Sequence, residues 1–342
     1  MNEQDYNARL DTIEAQLASA YLAQASDLTG DISMGQITAM IAAGDDLRVA
    51  STIEAAASHT ALLEAMRAAY IAGGTDEAAT LTQSSQRAIA STTGKARVVF
   101  DPRRQSAEEF LRSNAYTTIN GLVRQQGEAV QLILTSGRER GATPRQIATD
   151  ILGSPAGAGQ RSGGVIGLAG TDAQAIINAR KQLESGDPAL MREYLQRQRR
   201  DRRFDKAVQK AIDAGSTLSP DTVDRAVQRY SERLLQTRAE AQASIEAMEV
   251  YNAGRQQLYR QLTEDGIDQM WITKQWKTRG DEKVRVSHRA MSGQTQYGHV
   301  PFNAPGGIKM QNPGDMSMGA GPSLVARCRC RAVYKITPAT SE

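Results

Sequence analysis

Cys328 and Cys330, with His288 forty residues upstream, are the residues of this chain best suited to chemistry. Thiolate and imidazole are ordinary zinc ligands. Both cysteines, both tryptophans (Trp271 and Trp276) and two of the three histidines fall in the last quarter of the 342 residues. Residues 325–336, VARCRCRAVYKI, alternate in polarity and predict a strand. Cys328, Cys330, Ala332, Tyr334 and Ile336 would share one face of it. Two residues apart on a strand, the cysteine Cα atoms would lie ~6.7 Å apart, and a disulfide would be strained. The two thiolates can instead converge on one zinc, with His288 as third ligand and Asp281, His299 or Asp315 as fourth. The plain alternative is that both cysteines are small core residues. No Glu-x-x-His base–ligand pair accompanies them, so no catalytic residue is assigned, and the metal reading is a structural zinc. Nothing else in the sequence requires a cofactor.

The opposite face of that strand would carry Arg327, Arg329 and Arg331, a basic comb suited to phosphate or to an acidic partner. It would equally serve as a solvated edge that resists aggregation. A second basic run holds Arg197, Arg199, Arg200 and Arg203, for which salt bridges between helices compete with DNA contact. The net charge of +3 hides an asymmetry. Residues 1–100 carry 12 Asp+Glu against 6 Lys+Arg, a net of −6 that leaves +9 for the rest. There is no phosphate loop, no dinucleotide-binding glycine fingerprint and no Gly-x-Ser-x-Gly elbow. No run of 18 apolar residues predicts a membrane span. The first residues lack a signal-peptide pattern, and two cysteines fit a reducing, intracellular setting.

The elements that must position these residues are mostly helical. Tyr6, Leu10, Ile13, Leu17 and Tyr21 recur at spacings of three and four, predicting an amphipathic helix over 4–22. Ser106 with Glu109 reads as a capping box, and Thr143-Pro144 as a second helix start ending at Gly153. Residues 153–170, rich in Gly, Ser and Ala, read as a flexible connection. Ser219-Pro220 opens a long helix to about Leu262, closed by Gly266. Beyond it come a strand over 270–277, a short helix over 283–291 and a Gly/Pro-rich loop. The fold class is mainly α: elongated helical N-terminal and middle regions with a small C-terminal α+β module. The regions are 1–105, 106–265, 266–337 and a tail at 338–342. Trp271, Trp276, Phe302 and Tyr334 are the expected core of the module.

The order Trp276, Asp281, Val284-Arg285, His288, Ser292-Gly293, Phe302, Pro313-Gly314-Asp315 and Cys328-Arg329-Cys330 resembles the C-terminal domain of phage Mu F-type head morphogenesis proteins, also called minor head or minor capsid proteins. The likeness covers roughly 110–337. Arg327 departs from it, since members often carry Asn before the Cys-Arg-Cys. The resemblance implies a minor virion protein of a tailed phage, inside the head near the portal and in the host cytoplasm during assembly. Its implied partners are the portal protein, the inner face of the major capsid protein and packaged DNA. Its implied roles are procapsid assembly, genome packaging or ejection. The alternatives are a DNA-binding ejection protein and a metal-dependent hydrolase or nuclease.

Overall fold

A computed structural model describes residues 1–157 and 160–338. In chain order the helices begin with α1 (Glu3–Asp31), α2 (Met34–Ala42), α3 (Asp46–Ala56), α4 (Thr60–Ala79), α5 (Gln83–Thr93), α6 (Gln105–Glu139) and α7 (Pro144–Leu152). A short hairpin, β1 (Ser154–Gly157) and β2 (Gln160–Ser162), precedes α8 (Gly170–Glu184), α9 (Pro188–Gln196), α10 (Asp205–Ala214) and the long α11 (Pro220–Glu264). The remainder alternates β3 (Ile272–Lys277), α12 (Val286–Met291), β4 (Thr295–Tyr297), β5 (Phe302–Asn303), β6 (Lys309–Met310), α13 (Pro322–Val325) and β7 (Arg331–Ile336). With 66% of the chain helical and most strands confined to the C-terminal part, the mainly α class with a small α+β module holds.

The chain divides into two compact units that do not follow contiguous stretches of sequence. The first comprises Met1–Ser19, Leu62–Ala115 and Glu240–Glu342, and the second Ala20–Ala61 and Tyr116–Ala239. The C-terminal module expected over 266–337 therefore shares its unit with the N-terminal turns of α1, most of α4 and the end of α11.

The second unit is built on one continuous apolar cluster. Ile147, Ile151 and Leu152 of α7, Ile176 and Leu183 of α8 and Val223 and Val227 of α11 are all buried in it. Helix α7 starts as its sequence dictates: Thr143 accepts from the Gln146 N–H while the Gln146 side chain accepts from the Thr143 N–H, with Pro144 at the first position. The segment after Gly153 is not a free connection. It forms the β1–β2 hairpin and then buries Val165, Ile166 and Leu168 in the same cluster.

The first unit is held together differently. Helices α4 and α11 approach through Gly73 and Gly254: a Cβ on Gly73 would lie 2.1 Å from the Tyr251 carbonyl oxygen, and one on Gly254 2.0 Å from that of Tyr70. Only glycine allows backbones this close. Arg255 and Glu77, both almost fully buried, pair across these helices at 2.7 Å. The Tyr259 hydroxyl donates to the other Glu77 oxygen at 2.7 Å. Ser106 and Glu109 do not form a capping box: Ser106 is buried and accepts from the Gln257 amide, while Glu109 accepts from Gln105.

Strand β3 is the centre of an antiparallel sheet ordered β4-β3-β7, with Trp276 opposite Ala332. Its alternation buries Ile272, Lys274 and Trp276. Trp276 and Phe302 are fully buried and meet edge-to-face at 5.2 Å between ring centroids, whereas Trp271 and Tyr334 are half-buried beside the cluster around Tyr259 and Ile267. Strand β7 begins only at Arg331, so Cys328 and Cys330 lie before it in a turn. The clean alternation over 325–336 thus corresponds to a strand for its second half alone.

Candidate metal centre

The turn is made by α13 and a left-handed residue. Helix α13 stops after one turn, and the Cys328 N–H bonds back to the Val325 carbonyl at 3.0 Å. Arg327 then adopts φ +55°, the only positive φ at a non-glycine among the described residues. Its N–H is taken by Ser244 Oγ on α11 at 2.9 Å. The Cys330 N–H points to Cys328 Sγ at 3.3 Å. A strand would have held the cysteines apart; this knuckle folds both thiols toward one point.

His288 on α12 completes the group. It is 1% exposed, and the Trp276 ring packs edge-on against it at 5.5 Å. Its Nδ1 lies 3.4 Å from Cys328 Sγ and 3.5 Å from Cys330 Sγ, and the three donor atoms are all within 4.8 Å of one another. Two ligands at ordinary Zn–S and Zn–N lengths, at a tetrahedral angle, are separated by roughly 3.6 Å. The cluster therefore has the donor set and the spacing for a metal such as zinc. His288 Nε2 is buried without a hydrogen-bond partner, unlike the usual ligand histidine, which donates to a second group. The thiols share their protons unequally. The hydrogen bond from Cys330, and then His288, hold Cys328 well below the ordinary thiol range, while the same hydrogen bond and burial push Cys330 up.

The fourth-ligand candidates lie outside ligand spacing and have other partners. Asp281 pairs with Arg279 at 3.1 Å and accepts from the Lys283 N–H at 3.1 Å. His299 stacks with Tyr297, and Asp315 accepts from the Gln311 N–H and from Ser317. None of them joins the three-residue cluster. A cavity of about 380 Å³ is lined by all three cluster residues together with Asp281, Lys283 and Arg327, among others.

The basic comb is largely consumed within its own unit. Arg329 forks onto Glu14 at 2.5 and 2.8 Å and reaches Asp11 at 2.8 Å, and Arg331 donates to the Met1 carbonyl at 2.8 Å. The acidic side of α1 covers this part of the chain, so Arg329 and Arg331 do not form a flat free face; Arg327 alone of the three is exposed. The same helix braces the knuckle directly: the Tyr6 hydroxyl lies 3.1 Å from the Cys330 carbonyl and 3.0 Å from Asn252 Oδ1. Arg255 donates to the Ala332 carbonyl at 2.9 Å while its guanidinium lies over the Tyr6 ring.

In the second unit the other basic run is likewise engaged. Arg197 bonds Gln182 and Tyr230, and Arg199 bonds Thr237. Arg200 grips Asp205 through two bonds of 2.9 Å, and Arg203 closes on Asp201, holding that carboxyl down at about 2.

Sequence reasoning missed Tyr6, Glu77, Arg255 and Lys274 as supports. A signal existed for one of them. Tyr251, Arg255 and Tyr259 are spaced by four on α11, which puts the guanidinium on one face between two aromatic rings. No helix among the described residues is long and apolar enough to cross a membrane. No protein-family model, curated protein or solved structure matches this chain.

Proposed function

We propose that this chain is a minor head protein of a tailed phage, structural rather than enzymatic, whose C-terminal part docks at the portal or inner capsid. The observation that carries the reading is the convergence of His288, Cys328 and Cys330 at metal-ligand spacing. These three belong to the residue order that resembles the Mu F-type head proteins. A second observation supports it. Arg327, the one left-handed non-glycine among the described residues, stands where those proteins often carry Asn, and Asn takes that conformation more readily than other side chains. A zinc ion held here would cross-link α12 to the turn before β7, fixing the loops of the docking part. The DNA-binding alternative is weakened by the internal pairing of Arg197, Arg200, Arg203 and Arg329.

Two measurements test this. Quantitative mass spectrometry of intact heads should find a few copies per particle, retained with the portal; absence from particles would remove the virion reading. Metal analysis of the purified chain should find one zinc per molecule, lost in the Cys328→Ser/Cys330→Ser variant, which should also melt earlier. A metal-free wild type whose melting matches the double variant would remove the zinc.

A further inference from the structure

We propose that the cavity beside the His288–Cys328–Cys330 cluster is an oxyanion site. In it a carboxylate or phosphate oxygen would complete the coordination set, and Lys283 and Arg327 would carry its remaining charge. The inference rests on the zinc reading above and goes beyond it, because a purely structural zinc needs four protein ligands and no exchangeable position.

Three observations lead here. The cluster supplies three donors, and no carboxylate among the described residues lies within ligand spacing of it. The carboxylates on the cavity wall already have partners: Glu14 the Arg329 fork, Asp281 the Arg279 side chain and the Lys283 N–H, and Glu240 an interaction of its own. The cations are not equally engaged. Lys283 and Arg327 line the cavity, are exposed, and make no side-chain ion pair with a described residue. Arg285, also on the wall, donates to the Ala326 carbonyl. Zinc with two thiolates and a neutral imidazole has no net charge, so the surplus cations are left to attract an anion. A volume of about 380 Å³ exceeds what one oxyanion and a few waters need, the share of one water being about 30 Å³. Carboxylate and phosphate oxygens are both hard donors that guanidinium and ammonium groups recognise through charge-assisted bonds.

The test uses the full chain loaded with cobalt(II) in place of zinc, whose visible spectrum reports both thiolate ligation and coordination number. Acetate and inorganic phosphate are titrated separately at constant ionic strength. The expected result is a saturable spectral change with one of them, and the better of the two identifies the source of the oxygen. Arg327→Asn keeps a residue suited to the left-handed turn while removing the cation. It should bind cobalt with unchanged stoichiometry and need about tenfold more anion for half-saturation. Asp281→Asn should leave the spectrum of the anion-free protein as it is. Cobalt bound with a spectrum that neither anion moves would overturn the oxyanion site and leave the zinc reading intact. A changed spectrum in Asp281→Asn would overturn it too, by making Asp281 the fourth ligand. Failure to bind cobalt or zinc at all would instead remove the metal reading, and the oxyanion site with it.

Discussion

The two compact units of this chain solve the same packing problem with different materials. The second unit fills its interior with Ile, Leu, Val and Ala, and among its described residues only Thr29, Asp201 and Ser231 are buried polar ones. The first unit holds the other thirteen buried polar or charged residues described, among them Glu77, Arg255, Lys274, Asn252 and His288. Apolar packing is tolerant of exchange as long as volume is kept. A buried network contributes less net energy, since each ion must first lose its water, but it accepts few arrangements. The three-donor cluster lies in the unit with the stricter interior. A site needing three donor atoms placed to within a few tenths of an ångström is better held by fixed partners than by interchangeable hydrocarbons.

The comparison breaks most sharply at Arg255. Arg255→Met should leave Glu77 buried without its cation and destabilise the first unit by about 3–5 kcal/mol. Adding Glu77→Leu should recover most of that loss. Peptide-resolved hydrogen exchange under native conditions would show the effect in α4, β3 and β7; equal losses in α7 and α8 would mean that the units do not differ in this way.

A pH series sharpens it next. Burial, with Glu246 and Asp315 nearby, raises the Glu249 carboxyl from 4.5 to about 8. The native state then keeps a proton that the unfolded chain loses, so this stability is present below 4.5 and lost as pH rises to about 8. Burial lowers the Lys274 ammonium from 10.5 to about 7, with Asp315 opposing. There the unfolded chain binds the extra proton, so stability falls as pH drops from 10.5 to 7. Together they predict a stability minimum of the first unit between about pH 7 and 8. Glu249→Gln should flatten the acid side and Lys274→Met the alkaline side, read from urea midpoints at pH 5, 7.5 and 10 with a chelator present throughout, since metal binding to thiolate and imidazole has a pH dependence of its own. A single maximum near neutrality would contradict this.

Smaller effects belong to the second unit. Ile151→Val in its apolar cluster should cost about 0.5–1.5 kcal/mol, with no change in the pH profile. Arg124→Ala, which removes an exposed pair with Glu128 one turn away, should cost no more than about 0.5 kcal/mol. An effect of several kcal/mol there would show that surface pairing, not apolar burial, organises that unit.

Periodicity made much of the fold legible. The stripe from Tyr6 to Tyr21 is buried at every named position, and α11 starts at Pro220 and ends just before Gly266 as its cap signals require. The donor set was legible too, because Cys and His are rare and fall in one window. The geometry was not. Alternation over 325–336 imitates a strand, but Arg327 takes a left-handed φ that side-chain type gives no hint of, and the cysteines become a knuckle instead. The fate of Arg329 and Arg331 was illegible for a simpler reason: their partners, Asp11, Glu14 and the Met1 carbonyl, lie more than 300 residues away.

That separation also sets an order of events. The knuckle rests on Tyr6 and its flanking arginine on Glu14, contacts that span 324 and 315 residues. During synthesis α1 emerges more than 300 residues before the segments that its acidic side and its tyrosine hold. Contacts so distant in sequence form late, because loop closure must precede the gain they bring. The second unit's helices have nearer neighbours and can condense meanwhile. Pulse-labelled hydrogen exchange during refolding should then see the amides of Arg327 and Cys330 protected among the last.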